Sequence, residues 1–205
     1  MNVELSPIET DLLTEVLNIG VGHAAASLSQ LVQQEIALSV PEIEFKKRDE
    51  FALLLGPDRN VCGISQTLSG PFEAESILLF AEENSLSIVK EMLGKEISDE
   101  QLTDLQQEAL VEIGNIVLNA CIGGISKTLG ETIIVELPQF DVGSPHEVLH
   151  CHDNEDMILF MKIELSLKRS AIRGYMAFIL QPTSLIRLKQ SLTDMFHRMT
   201  GIGTA

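Results

Sequence analysis

Residues 11–22 read DLLTEVLNIGVG, and residues 108–119 read EALVEIGNIVLN. Both stretches contain a glutamate followed three residues later by an asparagine, with a proline 23 residues beyond: Glu15, Asn18 and Pro41 in the first copy, and Glu112, Asn115 and Pro138 in the second. Two copies with the same spacing indicate a duplicated domain, because a period of about a hundred residues is too long for a solenoid repeat.

The repeat continues outside this motif at the same offset of 97 residues. The further matching pairs are Asp11 with Glu108, Leu13 with Leu110, Ile19 with Ile116, Ser29 with Ser126 and Ile36 with Ile133. The duplication therefore covers the whole of each long amphipathic stretch and the residues that follow it.

The later part of each half also has a common pattern of predicted elements. Val61 to Phe80 predicts two strands around the turn Ser69-Gly70-Pro71, and Glu83 to Leu93 predicts a helix. In the second half, Met157 to Leu180 predicts two strands around Lys168-Arg169-Ser170, and Thr183 to Phe196 predicts a helix. We expect each half to contain a long helix, about three strands and a shorter helix.

These elements predict an α/β (α+β) fold in a single domain over residues 1–205. Its two halves, about residues 6–96 and 103–197, would be related by pseudo-two-fold symmetry around one largely antiparallel sheet of about six strands. The alternating segments Ile77 to Phe80 and Tyr175 to Ile179 would be the central strands. At 205 residues the chain is long enough to bury a sizeable core.

The composition excludes some classes of partner. A formal charge of −16 disfavours nucleic acid and anionic membranes, because both are bound through lysine and arginine. The densest basic run, Lys46-Lys47-Arg48, is interpreted as an exposed strand end. No apolar run approaches the length of about 18 residues that a membrane span needs.

Two features predict a cytoplasmic location. Met1 to Asp11 lacks the apolar region of a signal peptide. The three cysteines, Cys62, Cys121 and Cys151, are odd in number and unevenly spaced, which is typical of reduced thiols in the cytosol.

The repeated motif lies on a predicted helix in each half. Glu9 to Gln33 contains no proline and has apolar residues at helical spacing. At about 100° per residue, four residues of each helix share one narrow sector, which we call the acid–amide ridge. The first ridge is Asp11, Glu15, Asn18 and Gly22, and the second is Glu108, Glu112, Asn115 and Asn119. The predicted core stripes are Leu12, Leu13, Val16, Leu17 and Ile19, and Leu110, Ile113, Ile116 and Val117; Ser6 or Thr10 would cap the first helix, and Ser98 or Thr103 the second.

A ridge of this kind has a simple structural interpretation as a solvated helix face. Asparagine, however, is a below-average helix former, and alanine, glutamine or lysine would suit such a face better. Its retention in mid-helix in both halves favours a functional role.

Two other patterns are weaker. Gly20-Val-Gly22-His-Ala-Ala25 matches the glycine fingerprint of dinucleotide binding, but that fingerprint follows a buried strand, whereas here the preceding residues have helical periodicity. We interpret these glycines as points where another element approaches closely. His146, His150, Cys151 and His152, with Asp153, Glu155 and Asp156, match no standard zinc spacing, so a polar connection over 143–156 is preferred to a metal site.

On these residues the chain resembles the CheC family of bacterial and archaeal chemotaxis phosphatases, which is related to CheX and to the flagellar-switch protein FliY. The resemblance rests on both ridges with Pro41 and Pro138, and on Leu78-Leu79-Phe80-Ala81-Glu82-Glu83 before an amphipathic helix. Two intact pairs are closer to CheC than to CheX, which usually keeps one. Because few residues follow Phe196 in this sequence, we expect a CheC-like chain and not a FliY-type chain, which carries a further flagellar domain.

The resemblance implies hydrolysis of the aspartyl-phosphate on a response regulator of the CheY type. Asn18 and Asn115 would orient the attacking water, and Glu15 and Glu112 would pair with a lysine of the regulator. The remaining ridge residues, Asp11, Gly22, Glu108 and Asn119, would contact this partner. The chain would need no cofactor of its own, since the divalent metal ion would belong to the regulator. A non-catalytic adaptor, which binds a phosphorylated regulator or a receptor deamidase of the CheD type, is the alternative.

Overall fold

The computed structural model describes residues 5–33, 35–39, 43–93, 99–151, 157–166 and 171–200. In chain order, the first half contains α1 (Pro7–Val32), β1 (Ala37–Ser39), β2 (Ile43–Lys47), α2 (Arg48–Leu55), β3 (Val61–Ser69), β4 (Ala74–Ala81) and α3 (Glu82–Leu93). The second half contains α4 (Asp99–Leu129), β5 (Ile134–Val135), β6 (Gln139–Gly143), α5 (Pro145–Val148), β7 (Met157–Ser166), β8 (Ala171–Leu180) and α6 (Pro182–Thr200).

All the strands of the described residues belong to one antiparallel sheet, as predicted. Its order is β1-β7-β8-β4-β3-β5, with β2 also paired to β7 and β6 also paired to β3. The strands β4 and β8 lie side by side at the centre, which confirms the predicted central position of both. The sheet has eight strands where about six were expected, because the short edge strands carry too few residues for a recognisable period.

The register of the sheet shows the symmetry of the duplication. Ala37 of β1 pairs with Ser166 of β7, and the residues 97 positions away, Ile134 of β5 and Ser69 of β3, pair with each other. Each half therefore contributes its short edge strands to the longer strands of the other half. This exchange joins the two halves through backbone hydrogen bonds.

Both faces of the sheet are covered, so the central strands do not alternate between buried and exposed residues. All residues from Ser76 to Phe80 are buried, and the predicted alternation over Ile77 to Phe80 was wrong. One face packs on α1, α3, α4 and α6, and the other on α2 and α5. The helix α2 is anchored on this second face by Phe51, whose ring lies 4.6 Å from that of Phe160.

The long helices α1 and α4 pack against each other at Gly20. A Cβ atom built on Gly20 would lie 2.7 Å from the Cα atom of Cys121. This confirms that Gly20 is a point where another element approaches closely. Gly20 and Gly22 both lie inside α1, whereas a dinucleotide-binding fingerprint would form a loop after a strand. Gly22 itself has no atom within 4 Å of an added Cβ, so close packing does not account for it.

The start of α1 is fixed by a capping box. Ser6 accepts a hydrogen bond from the backbone N–H of Glu9, and the Glu9 carboxylate accepts one from the backbone N–H of Ser6 at 2.7 Å. Of the two predicted caps, Ser6 is therefore the one used. The helix α4 begins at Asp99, and position 98 lies outside the described residues.

Four local predictions were wrong. Arg48 is buried and donates hydrogen bonds to the carbonyl oxygens of Leu149 and His150, so the basic run is not simply an exposed strand end. Residues 145–148 form the helix α5 within the predicted polar connection, because Ser144 supplies a second capping box. Ile19 is 46% exposed and lies outside the core stripe. In the described part of the chain, Leu105–Leu129 is long and apolar enough by length and composition to cross a membrane.

The segment Leu105–Leu129, however, contributes many residues to the protein core. The residues of its apolar side that are buried against the sheet and α1 are Leu110, Ile113, Val117, Leu118, Cys121, Ile122, Ile125 and Leu129. The core helix of a globular protein meets the same length and composition criteria, so this property is weak evidence for a membrane span.

Candidate functional site

The structure brings the four residues of each ridge to the surface of α1 and α4. Asp11, Glu15, Asn18 and Gly22 are exposed, as are Glu108, Glu112 and Asn119, whereas Asn115 is half-buried. Neither ridge packs into the core, which satisfies the first requirement for a binding or catalytic role.

The second ridge lies close to the sheet because of Gly114. A Cβ atom at Gly114 would lie 2.5 Å from Cγ2 of Ile64 in β3, so only glycine allows this approach of α4 to the strand. The residue 97 positions earlier is Leu17, which is fully buried. The two helices therefore meet the sheet differently beside their asparagines.

Asn115 is held by two amide groups. Its Oδ1 atom accepts a hydrogen bond from Nε2 of Gln66 at 3.2 Å and another from Nδ2 of Asn119 at 2.6 Å. The Nε2 group of Gln66 also donates to the carbonyl oxygen of Glu136 at 3.3 Å. The side chain of Asn115 is thus oriented by residues from β3, α4 and the segment between β5 and β6.

A groove of about 640 Å³ opens beside Asn115. It is lined by residues of β3, α4 and the segment from β5 to β6: Gln66, Asn115, Asn119, Val135, Glu136, Leu137, Pro138 and Gln139. Pro138, the proline of the repeated motif, therefore lines the same groove as the asparagine.

The first ridge has a different surrounding. Within the described residues, no hydrogen bond to the side chain of Asn18 is present, and Gly22 stands where the second ridge has Asn119. Position 41, which holds the matching proline, lies outside the described residues, so its groove is not defined. The two sites share the glutamate and the asparagine of the motif, but among the described residues only the asparagine of the second site is held by hydrogen bonds from other amide side chains.

The surface around the second groove combines negative charge with an exposed apolar side chain. Glu108, Glu112 and Glu136 are exposed, and Leu137 on the groove is 87% exposed. Beside the first ridge, Ile19 is also exposed. A protein partner with a positive charge and an apolar contact would complement such a surface.

No group of three or more histidine, cysteine, aspartate or glutamate side chains that could hold a metal ion occurs in the described residues. The histidines His146 and His150 are exposed near α5, but residues 152–156, which complete the weighed cluster, lie outside the described part. The expectation that this segment does not bind a metal ion therefore stays a prediction.

The cysteines are free and are not activated nucleophiles. Burial raises the pKa of the Cys121 thiol to about 12 and that of the Cys151 thiol to about 11. For Cys62, burial also raises the pKa, although a hydrogen bond with Ser85 opposes this shift. Since the thiolate is the reactive form, none of the three is suited to nucleophilic catalysis near neutral pH.

Sequence reasoning missed Gln66 and Leu137. Gln66 lies in a strand 49 residues before Asn115, and no local pattern relates the two residues. The repeat does contain a signal that could have drawn attention to Gln66. The residue 97 positions after it is Ile163, so the first half has an amide where the second half has an apolar residue. Leu137 could have been noticed because it directly precedes the repeated proline.

Comparisons with known proteins agree with the resemblance found in the sequence. The model of the CheC-like family matches residues 8–44, which include the first ridge. The CheC1 protein of Halobacterium salinarum is 26% identical over 157 residues, which cover 76% of this chain and 80% of that protein. The CheY-P phosphatase CheC of Bacillus subtilis is 28% identical over 113 residues, which cover 53% of this chain and 54% of that protein.

Solved structures of other proteins have the same fold. Thermotoga maritima FliY superposes with a TM-score of 0.76 at 20% identity, covering 94% of this chain and all of that one. CheX in the CheX–CheY–BeF3–Mg complex of Borrelia burgdorferi has a TM-score of 0.52 at 17% identity, covering 79% of this chain and 96% of that one. The sheet with its duplicated halves therefore has the fold of FliY and of CheX. The match to the model of the CheC-like family over residues 8–44 and the similarity to the two CheC relatives support a relation to the CheC-like family.

Proposed function

We propose that this protein is a phosphatase that accelerates hydrolysis of the aspartyl-phosphate of a CheY-type response regulator, in chemotaxis or a related two-component system. The observation that carries the proposal is the pair of exposed Glu112 and half-buried Asn115 on α4, where Asn115 lines a groove of about 640 Å³. The relatives named CheC and the CheX–CheY complex support this class of partner.

In the proposed reaction a water oxygen forms a bond to phosphorus as the bond between phosphorus and the aspartyl oxygen breaks. The electron pair of that bond stays on the aspartate, which leaves as a carboxylate, and the water proton passes to phosphate or solvent. Such phosphoryl transfer has a loose transition state, so positioning and charge neutralisation account for most of the catalysis. A divalent ion held by the regulator would neutralise the phosphoryl oxygens, and we expect this chain to need no metal ion of its own.

The asparagines position the attacking water. An amide is not a general base near neutral pH, but it forms directional hydrogen bonds that hold a water in line with the breaking bond. Asn18 and Asn115 enter the regulator's active site from the exposed faces of α1 and α4.

The glutamates fix the register of the complex. Glu15 and Glu112 lie one helical turn before the asparagines and form ion pairs with a lysine of the regulator. The remaining ridge residues, Asp11, Gly22, Glu108 and Asn119, contact the partner around these pairs. The exposed side chains of Leu137 and Ile19 add apolar contacts at the rim.

The proposal is tested with purified protein and a phosphorylated CheY-type regulator, by following decay of the acyl phosphate. The double variant Asn18→Ala, Asn115→Ala should lose the acceleration, whereas Gln107→Ala, an exposed neighbour on α4 outside the ridge, should keep it. A substantial acceleration by the double variant would show that the assignment of these residues is wrong.

A second candidate function is a non-catalytic adaptor that binds a phosphorylated regulator or a CheD-type deamidase. The same exposed ridges would serve for binding without hydrolysis, and solved FliM middle domains share the fold. Turnover separates the two candidates. Substoichiometric protein should clear an excess of phosphorylated regulator if it is an enzyme, whereas a sequestering adaptor would protect the phosphate.

Such a substrate places the protein in the cytoplasm, where response regulators act. The described cysteines are free, in agreement with a reducing compartment.

A further inference from the structure

We propose that Gln66 is a positioning residue of the second site, which turns the amide of Asn115 so that its N–H group, and not its carbonyl oxygen, faces the groove. This inference rests on the proposed function, and it adds a residue and a polarity to that site. Gln66 is 2% exposed and lies in β3, outside both ridges.

The orientation of Gln66 follows from the backbone of Glu136. Nε2 of Gln66 lies 3.3 Å from the carbonyl oxygen of Glu136, and that residue is itself fixed by a backbone bond from its N–H to Thr67. The reverse orientation would place Oε1 of Gln66 against this carbonyl oxygen. Two acceptors cannot form a hydrogen bond, so the backbone requires the N–H side of Gln66 here.

The orientation of Asn115 follows in turn. Because Gln66 presents an N–H group, Asn115 must present its Oδ1 atom, which lies 3.2 Å from Nε2 of Gln66. Nδ2 of Asn119 donates to the same oxygen at 2.6 Å. A carbonyl oxygen has two acceptor sites, and both are used. The Nδ2 group of Asn115 is left as the part of the amide that can bind a ligand.

Such an N–H group can donate a hydrogen bond to one lone pair of a water oxygen, while the other lone pair of that oxygen attacks phosphorus. The cost of the arrangement is visible at Gln66, whose Oε1 atom is buried without a hydrogen-bond partner in the described structure. An apolar residue, such as the Ile163 at the matching position, would avoid this cost. A buried amide kept here under such a cost indicates a role beyond packing.

The experiment compares Gln66→Leu with the matched control Gln190→Leu, in a protein that also carries Asn18→Ala so that only the second site reports. Gln190 is an exposed residue of α6. We expect Gln66→Leu to lower kcat by about three- to tenfold with KM unchanged, because one orienting hydrogen bond is lost. The control should match the parent protein.

A double-mutant cycle separates positioning from a general structural effect. Since Gln66 acts through Asn115, Gln66→Leu should cost no further activity once Asn115→Ala is present. An equal loss in both backgrounds, or no loss in either, would overturn the inference. If Asn115→Ala itself has no effect on turnover, the proposed function fails instead, so the two failures are distinct.

A measurement on the unaltered protein covers the case in which Gln66→Leu fails to fold. Order parameters of the asparagine side-chain amides can be measured by nitrogen-15 relaxation, with signals assigned from the Asn18→Ala and Asn115→Ala spectra. We expect a rigid amide at Asn115, with an order parameter near 0.85, and a flexible amide at Asn18, with an order parameter below about 0.6, on the scale used for backbone amides. Equal mobility of the two amides would contradict a restraint by Gln66.

Discussion

The backbone of Gly20 in α1 approaches α4 so closely that a Cβ atom on Gly20 would lie 2.7 Å from the Cα atom of Cys121. The contacting atom belongs to a backbone, which cannot rotate away as a side chain can. We therefore expect Gly20→Ala to lower the free energy of unfolding by about 1–3 kcal/mol, measured by chemical denaturation.

Gly123→Ala is the matched control for this substitution. Gly123 is an exposed residue inside α4, and an added Cβ would have no atom within 4 Å. Alanine is the better helix former, so this variant should gain roughly 0.5–1 kcal/mol. A loss of stability at Gly123 as large as that at Gly20 would mean that helix packing is not the cause.

Asn115→Ala should lower kcat and leave KM almost unchanged, in a protein that also carries Asn18→Ala. The alignment of the attacking water matters chiefly in the transition state, so its loss affects the chemical step more than docking. We expect about a 10- to 100-fold loss in single-site kcat. The role of the amide would have to be abandoned if KM rises while kcat stays the same, and Gln107→Ala serves as the control.

Glu112→Ala should mainly raise KM in the same background, with some loss of kcat. The carboxylate forms its ion pair in the docked complex before reaction, and such a bond is worth about 1–3 kcal/mol, or roughly five- to a hundredfold in binding. The effect should shrink at high salt, because exposed charges are screened. Glu50→Ala is the matched control, since Glu50 is exposed on α2 at the opposite face of the sheet; an equal KM change there would exclude a local role.

Glu9 should make stability depend on pH. Burial alone would raise the pKa of its carboxyl, but hydrogen bonds from Ser6 and Thr193 and the charge of Lys189 together lower it. A lowered pKa in the folded protein means that the ionised group stabilises the fold above its unfolded value, and that this stability is lost as pH falls through the folded pKa.

We therefore expect Glu9→Gln to lower the free energy of unfolding by roughly 0.5–2 kcal/mol near neutral pH, because the substitution weakens the capping interaction with Ser6. The difference from the parent protein should stay constant down to the unfolded pKa, about 4.5 as in model compounds, and shrink below it. Thermal unfolding between pH 7 and pH 3 measures this, with Glu50→Gln as control. A difference that does not change with pH would contradict the assigned role of the charge.

Much of the fold could be predicted from the sequence because its signals are local. The spacing of apolar residues predicted α1, α4, β3, β4, β7 and β8, and the serine at position 6 predicted the cap that α1 uses. The short edge strands and the helices α2 and α5 were missed, since two to eight residues carry little periodicity. Without those helices, the continuous burial of β4 was also predicted wrongly.

The candidate site divides in the same way. The sequence by itself determined that Glu15 lies beside Asn18 on one helix and Glu112 beside Asn115 on another, because residues three and four apart on a helix are neighbours on its surface. Only the tertiary structure decided that Gln66 reaches Asn115, and that Pro138 and Leu137 line the same groove. These contacts depend on the exchange of strands between the halves and on the approach of α4 to β3 at Gly114, both of which arise from long-range packing and not from local residue preference.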